Sequence, residues 1–373
     1  MRLVWGRVVR VVSEDESVQR LDVVADGDSA VASAVAYPPL CGACVPDDRV
    51  LLNTSAVDRG LGTGGEHFVV ARAGEGLSLE RAVPGHIMKL RYTPLQHEVT
   101  AVEEPASGHH HVMSEALSLH GMPVVCCGLH SQVPLVAAAV KERRPGARVV
   151  YVMTDEAALP MAVSRLVPAM VAAGLVDATI TCGQTFGGEF EAVNLYSALL
   201  AARHVARADV TVVAVGPGLP GTGTPYGHAG VAQGVAINAV AALDGVPVAA
   251  LRASFADPRS RHVPISHQTL TALGAVALAS AHVAVPELPG SEARALDEAL
   301  VQGGVWPRHV RHVVPAGALP DLRGVDVRTM NRGPAEDPAF FAAAAAAGAL
   351  GADLLPGGDA GRQKRPRHDR PGR

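Results

Sequence analysis

Aromatic side chains are scarce, with two Trp, five Tyr and six Phe in 373 residues. Thirteen rings are too few for the stacking platforms on which single-stranded nucleic acids lie, which argues against that class of partner. Charge is thin as well: 32 Lys and Arg with 36 Asp and Glu make 68 residues, or 18%, below the usual ~25%. Hydrophobic residues reach 48%, a balance that excludes a largely disordered chain. No apolar run reaches the roughly 18 residues needed to cross a bilayer. The nearest candidate, Ala339 to Leu350, spans 12 residues and reads as an alanine-rich helix packed on the surface. Five cysteines, an odd number in a long chain, do not make a disulfide framework and fit a reducing compartment. The first residues, MRLVWGRVVRVVSEDES, have their apolar stretch broken by Arg7 and Arg10 and followed by acids, unlike a signal peptide, so the expected location is the cytoplasm.

The formal net charge is −4. Six basic and two acidic residues fall between Pro356 and Arg373, so the remainder holds 26 basic against 34 acidic residues and carries −8. An acidic body is a poor electrostatic match for a phosphate backbone, and nucleic-acid binding by the folded part is disfavoured. The Arg362 to Arg373 run lacks periodicity and apolar anchors and reads as a solvated, disordered tail.

From Arg2 to about Arg72, short β-branched runs such as LVWGRVVRVV, QRLDVVA, RVLLN and HFVVAR alternate with turn residues, the pattern of a small antiparallel β barrel or sandwich. Past His120, apolar runs of five to eight residues alternate with helical stretches, which predicts βαβ units and a mostly parallel sheet with helices on both faces. The expected strands begin at Pro123, Arg148, Asp177, Asp209, Val246 and His282; the expected helices are Ser131 to Arg143, Ala162 to Ala173, Glu189 to Ala206, Gly230 to Leu243 and Ser266 to Ala279. The organisation is therefore a β domain over 1–83, a connector over 84–119, an α/β domain over 120–335, the alanine-rich helix over 336–355 and the basic tail over 356–373.

Ligands of open parallel sheets bind beyond the carboxyl ends of the strands. Those ends are followed here by His130 and Ser131; by Thr154, Asp155 and Glu156; by Cys182, Gly183, Gln184 and Thr185; by the glycine-rich loop Gly216 to His228; and by Ser254 to His267. The opposite ends show mostly turn residues, such as Pro145, Gly146, Gly174 and Gly245. The loop formally matches G-x-G-x-x-G through Gly216, Gly218 and Gly221. Pro217 and Pro220 remove two amides that would face a pyrophosphate, and no acidic ribose ligand follows the next strand, so it is a weak dinucleotide fingerprint. What remains is a tight turn in which Gly221, Gly223 and the hydroxyls of Thr222 and Thr224 can grip a phosphate or carboxylate. The segment SFADPRSRHVPISHQT, Ser254 to Thr269, gathers Asp257, Arg259, Arg261, His262 and His267. Arginines suit anions, and histidines titrate near neutral pH.

PGHIMKLRYTPLQ, YVMTDEAALP, GPGLPGTGT and RASFADPRSRH, in this order, resemble a bacterial family known as domain of unknown function number 3866, over roughly Met1 to Arg332. The resemblance implies relatives but no chemistry. It places a Ser-His-His-Thr string where this chain reads Ser266-His267-Gln268-Thr269, and it does not include Cys41 or Cys44; this weighs against a metal site that needs adjacent histidines.

The leading expectation is a protein binding a small anionic metabolite or nucleotide at the sheet's carboxyl edge, and hydrolysing or transferring part of it. Arg259 and Arg261 hold charge, Thr222 and Thr224 fix the ligand with Gly216, Gly218, Gly221, Gly223, Thr154 and Gln184 around it, and Asp257, His262, His267 and Asp155 supply chemistry. The rivals are a metal-dependent hydrolase using Asp155, Asp257 and histidines, and a non-catalytic sensor or scaffold. The sequence names no cofactor and no oligomeric state.

Overall fold

The computed structural model describes residues 1–61, 65–74, 84–306, 308–315 and 317–356; the basic run from Arg362 lies outside them. The chain divides into two compact units, Met1–Thr100 and Ala101–Arg373.

In the first unit, strands β1 (Leu3–Glu14), β2 (Gln19–Ala25), β3 (Ala32–Ala36), β4 (Arg49–Asn53) and β5 (His67–Arg72) close a barrel in the order β1-β2-β3-β5-β4. β2 buries every second residue, Gln19, Leu21, Val23 and Ala25, as the alternation of a strand with one inward face requires. Closure departs from the expected antiparallel plan at one seam, because β3 and β5 pair parallel. Cys41 and Cys44 lie in the barrel's core beside Val8, Leu21 and Leu52. The buried Gln19 amide accepts from Cys44 N at 2.7 Å and donates to Cys44 O at 3.1 Å, so this polar core residue is fully used. A hairpin of β6 (Ile87–Lys89) and β7 (His97–Val99) ends the unit.

The second unit is an eight-stranded, all-parallel sheet. Its strands are β8 (Pro123–Cys126), β9 (Val149–Thr154), β10 (Ala178–Cys182), β11 (Phe190–Ala192), β12 (Val210–Val215), β13 (Val246–Ala249), β14 (His282–Pro286) and β15 (Val310–Val314), in the order β11-β10-β9-β12-β8-β13-β14-β15. All six residues of β9 and of β12 are buried, because helices cover both faces. Helices Val133–Arg143 and Leu166–Ala172 contribute to one facial core, and Leu195–His204, Ala232–Ala242 and Gly290–Gln302 to the other. Crossovers toward β11 thus lie on one face and those toward β15 on the other, as right-handed connections demand.

Three local expectations change. Residues 190–192, assigned to a helix, form edge strand β11 instead, and the helix starts at Leu195 behind an Asn194 cap whose side chain accepts from Tyr196 N and Ser197 N. The helix after β13 runs His267–Thr271 and continues as a π turn, Ala272–Val276. The alanine-rich helix, Pro338–Asp353, is a core element and not a surface one: twelve of its sixteen residues are buried, and it packs on Val133–Arg143 and on β14. A helix apolar all round must be enclosed, and its small residues let backbones approach closely. A Cβ on Gly348 would lie 2.8 Å from Val136 Cα and 2.9 Å from Ala139 Cβ. Among the described residues, no helix is long and apolar enough to cross a membrane.

Candidate functional site at the carboxyl edge

β12, β8 and β13 are neighbours, yet β8 sends its loop to one face and β12 and β13 send theirs to the other. Such reversals open a crevice beyond the strand ends. Into it run the segments Gly216 to His228, after β12, and Leu251 to Thr269, after β13.

Asp257 organises the second segment. Its side chain is 1% exposed and meets three guanidinium groups. Arg259 donates from Nε to Oδ1 at 2.9 Å and from Nη2 to Oδ2 at 2.8 Å; Arg332 Nη2 donates to Oδ2 at 3.3 Å; Arg252 Nη2 stands 3.8 Å away. The backbone N–H of Arg259 adds a bond to Oδ1 at 3.0 Å. Burial pushes this carboxyl upward, but the hydrogen bonds and charge of Arg259, with His262 nearby, hold it well below the usual carboxylate range. Burial, followed by the Arg259 charge, brings Arg252 down to about 10, still cationic at neutral pH. Asp337, which opens the alanine-rich helix, accepts from Ser254 Oγ at 2.8 Å and Arg332 Nε at 3.1 Å. Ser254 in turn accepts from Asp257 N at 3.0 Å, so each carboxylate fixes the other's loop.

Beside these groups stand three histidines. The His267 ring lies 5.2 Å from that of His228 and 5.4 Å from that of His262, centroid to centroid. His262 Nδ1 bonds Ser266 Oγ at 2.7 Å, and Ser266 also caps the helix by accepting from Gln268 N. Burial first, then the charges of Arg252 and Arg259, lower His262 to about 3. Burial and the charges of His228, Arg261 and Arg252 lower His267 as well. A histidine held neutral in the fold, against ~6.5 when unfolded, leaves the unfolded chain binding more protons in between. Unfolding free energy should therefore rise with pH from about 3 to about 6.5, and His262→Gln should flatten that slope in urea titrations; an unchanged slope would show that His262 is not buried in its neutral form.

The glycine-rich loop closes on itself. Gly221 and His228 form an antiparallel bridge, Thr222 N bonds Gly227 O at 2.8 Å, and the Thr222 and Thr224 hydroxyls meet at 2.9 Å while also bonding Gly227 O and Gly227 N. Gly218 and Gly223 take φ of 81° and 80°, open to glycine without strain. Gln268 joins this loop to the arginines: its Oε1 accepts from Arg252 at 2.8 Å, and its Nε2 would stand 3.0 Å from a Cβ on Gly221.

Asp155 and Gln184 meet between the ends of β9 and β10, whereas Thr154 ends β9 on its β12 side, and the loop after it bonds the start of the glycine-rich loop through Ala158 N and Pro217 O at 3.1 Å. Asp155 Oδ2 accepts from Gln184 N at 2.8 Å, and the carboxyl carbon would be 2.6 Å from a Cβ on Gly183, whose φ is 67°. Thr154 is buried in register with Val215. Among the described residues, no hydrogen bond or ion pair connects Asp155 to Asp257 or the three histidines. His130 is committed elsewhere, to Tyr151 Oη at 3.0 Å and Ser164 Oγ at 2.7 Å.

The geometry thus joins Gly221, His228, Ser254, Asp257, Arg259, His262 and His267, all on the strand-end segments the sequence pointed to, and adds Arg252, Gln268, Arg332 and Asp337, which sequence reasoning missed as members of the site. Arg252 had a usable signal, a charge at the end of an otherwise apolar run; Arg332 and Asp337 come from a distant turn and had none. Fold and cluster define a doubly wound α/β protein with a β barrel before it. A family model described as a protein of unknown function (DUF3866) matches residues 33–348, and the chain belongs to that family. The match begins within β3 and ends inside the alanine-rich helix, so it takes in Arg332, Asp337 and the helix as far as Gly348. No curated protein and no solved structure matches the chain.

Proposed function

We propose that this chain binds a small anionic metabolite or nucleotide in the crevice between the β12 and β13 loops. The observation that carries this reading is the local charge: among the described residues, the ion pairs of Arg252, Arg259 and Arg332 run to Asp257 and Asp337, and Arg261 adds a fourth cation close enough for its charge to act on His267. Arg252, Arg259 and Arg332 are held by Asp257, so they supply a fixed positive field with little reorganisation on binding. Arg261 is exposed beside His267, placed for direct contact with the anion. The loop from Gly216 to Thr224 flanks it. Asp257 serves as the arginines' anchor in this reading, while His267, more exposed than His262, exchanges protons in any hydrolysis or transfer.

A metal-dependent hydrolase has less support, because Asp257 is engaged by guanidinium groups and, among the described residues, no three His, Cys, Asp or Glu side chains are grouped to hold a metal ion.

Thermal unfolding with inorganic phosphate, pyrophosphate, nucleotides and dicarboxylates tests the proposal. A ligand present at a hundred times its Kd adds about 2.7 kcal/mol, a shift of several degrees. At least one anion should raise Tm in the wild type and fail to do so in Arg261→Ala, whose own Tm stays near wild type. Flat responses throughout, or a shift that survives the substitution, would refute the assignment.

A further inference from the structure

Among the described residues, three buried polar atoms along this edge have no hydrogen-bond partner: His228 Nδ1, Gln233 Oε1 and Asp337 Oδ1, on residues 5%, 2% and 1% exposed. Orphans of this kind are rare in folded proteins, and each calls for an explanation. Their chemistry can be assigned from what the rest of each side chain does. His228 Nε2 lies 2.9 Å from the carbonyl of Pro225, an acceptor, so Nε2 carries the proton and Nδ1 presents a lone pair. Gln233 Nε2 donates to the carbonyls of Cys126 at 2.8 Å and Ala250 at 2.7 Å; two acceptors fix the amide's orientation and leave Oε1 as an acceptor. Asp337 uses Oδ2 for Ser254 and Arg332, leaving Oδ1. All three atoms are acceptors, so what they lack is a donor.

Glycines stand beside two of the orphans. Gln233 Oε1 lies 3.4 Å from where a Cβ on Gly128 would be, and His228 Nδ1 lies 3.1 Å from where one on Gly230 would be. Gly230 lies in the 3-10 turn Ala229–Val231 that leads into the Ala232–Ala242 helix, and Gln233 is the second residue of that helix. A site that only gripped an anion would line up donors, as Arg261 does. These atoms ask for the reverse, two of them near the same arginines: Asp337 shares Arg332 through Oδ2, and His228 packs edge-on against His267, on which the Arg261 charge acts.

We infer that the ligand carries N–H donors next to its negative charge: an amino-bearing anion, with the amine or exocyclic amino group directed at the orphaned acceptors and the anionic group at Arg261. The inference rests on the anion-site reading above. An analogue without the amino group would leave the acceptors buried and unpaired, at a penalty equivalent to about tenfold or more in affinity.

Matched pairs measured by calorimetry on the full chain test it: L-aspartate against succinate, L-glutamate against glutarate, and AMP against IMP. The first two pairs report an α-amino group, the third an exocyclic one on a base. The expected result is one amino member binding at least tenfold tighter than its partner, with the preference falling to threefold or less in His228→Phe or in Asp337→Asn, which puts a donor on the same frame. Anions that bind without amino preference would overturn this inference and leave the anion site standing, as would a preference that persists in both variants. If no member of any pair binds and no anion shifts Tm, the site assignment itself falls. The wild-type comparison decides the point even if a variant fails to fold.

Discussion

Replacing Asp257 with alanine is expected to destabilise the α/β unit by about 3–5 kcal/mol, because removing one partner of a buried ion pair leaves the others uncompensated. Here the others are three guanidinium groups, of which Arg252 is itself 6% exposed; among the described residues, the remaining carboxylate in the cluster is Asp337, which already accepts from Arg332. Arg259→Ala should cost much less, since its side chain is 36% exposed and the carboxylate keeps Arg332. The acid side follows from sign. The folded carboxyl titrates below its unfolded value of ~3.9, so its contribution is complete above that value and is lost as pH falls further. Asp257→Asn should therefore show a shallower loss of stability below about pH 4. Urea unfolding measures all three variants, and a cost below about 1 kcal/mol for Asp257→Ala would show that the cluster is not the buried network described.

Gly348→Leu is expected to cost about 3 kcal/mol, at the upper end for overpacking a close helix contact, and to lower Tm by roughly 6–12 °C. The side chain would be driven into Val136 and Ala139 of the neighbouring helix, both buried. Gly348→Ala settles the point by its sign. On a surface helix alanine gains up to about 1 kcal/mol over glycine, whereas at this crossing a single Cβ already meets backbone, so stability should fall. A stabilised Gly348→Ala variant would return the helix to the surface.

That contrast marks where the sequence was legible. Six strands of the parallel sheet could be read from runs such as VVYVMT and VTVVAV, because strands buried on both faces have no polar alternation to hide them. β15, with Arg311 and His312 in its middle, escaped because an exposed edge strand looks like loop, and β11, three residues long, was absorbed into the helix expected from Glu189. The alanine-rich helix was visible as a helix, but its place was not: its burial depends on how closely Gly348 and Gly351 can approach strands and helices distant in sequence. The same limit applies to the site. Asp257, His262 and His267 share a short segment and could be seen together, and Gly221 lay on a strand-end loop. Arg332 and Asp337 join them only because after β15 the chain returns to the face that carries Val133–Arg143, and no local pattern reports such a return. The split between Asp155 and Asp257 was hidden for a related reason, since strand order, unlike strand number, is not written in any one segment.

Histidine side-chain NMR under titration with the anion that gives the largest thermal shift tests the central claim most directly. His282 and His312, bonded to each other at 2.8 Å across β14 and β15, with His282 at that strand's amino end, serve as internal controls. The account predicts that the resonances of His228, His262 and His267 move together and saturate while those of His282 and His312 stay fixed. Resonances that move only at His282 and His312, or a titration that leaves the three edge histidines unchanged, would contradict it.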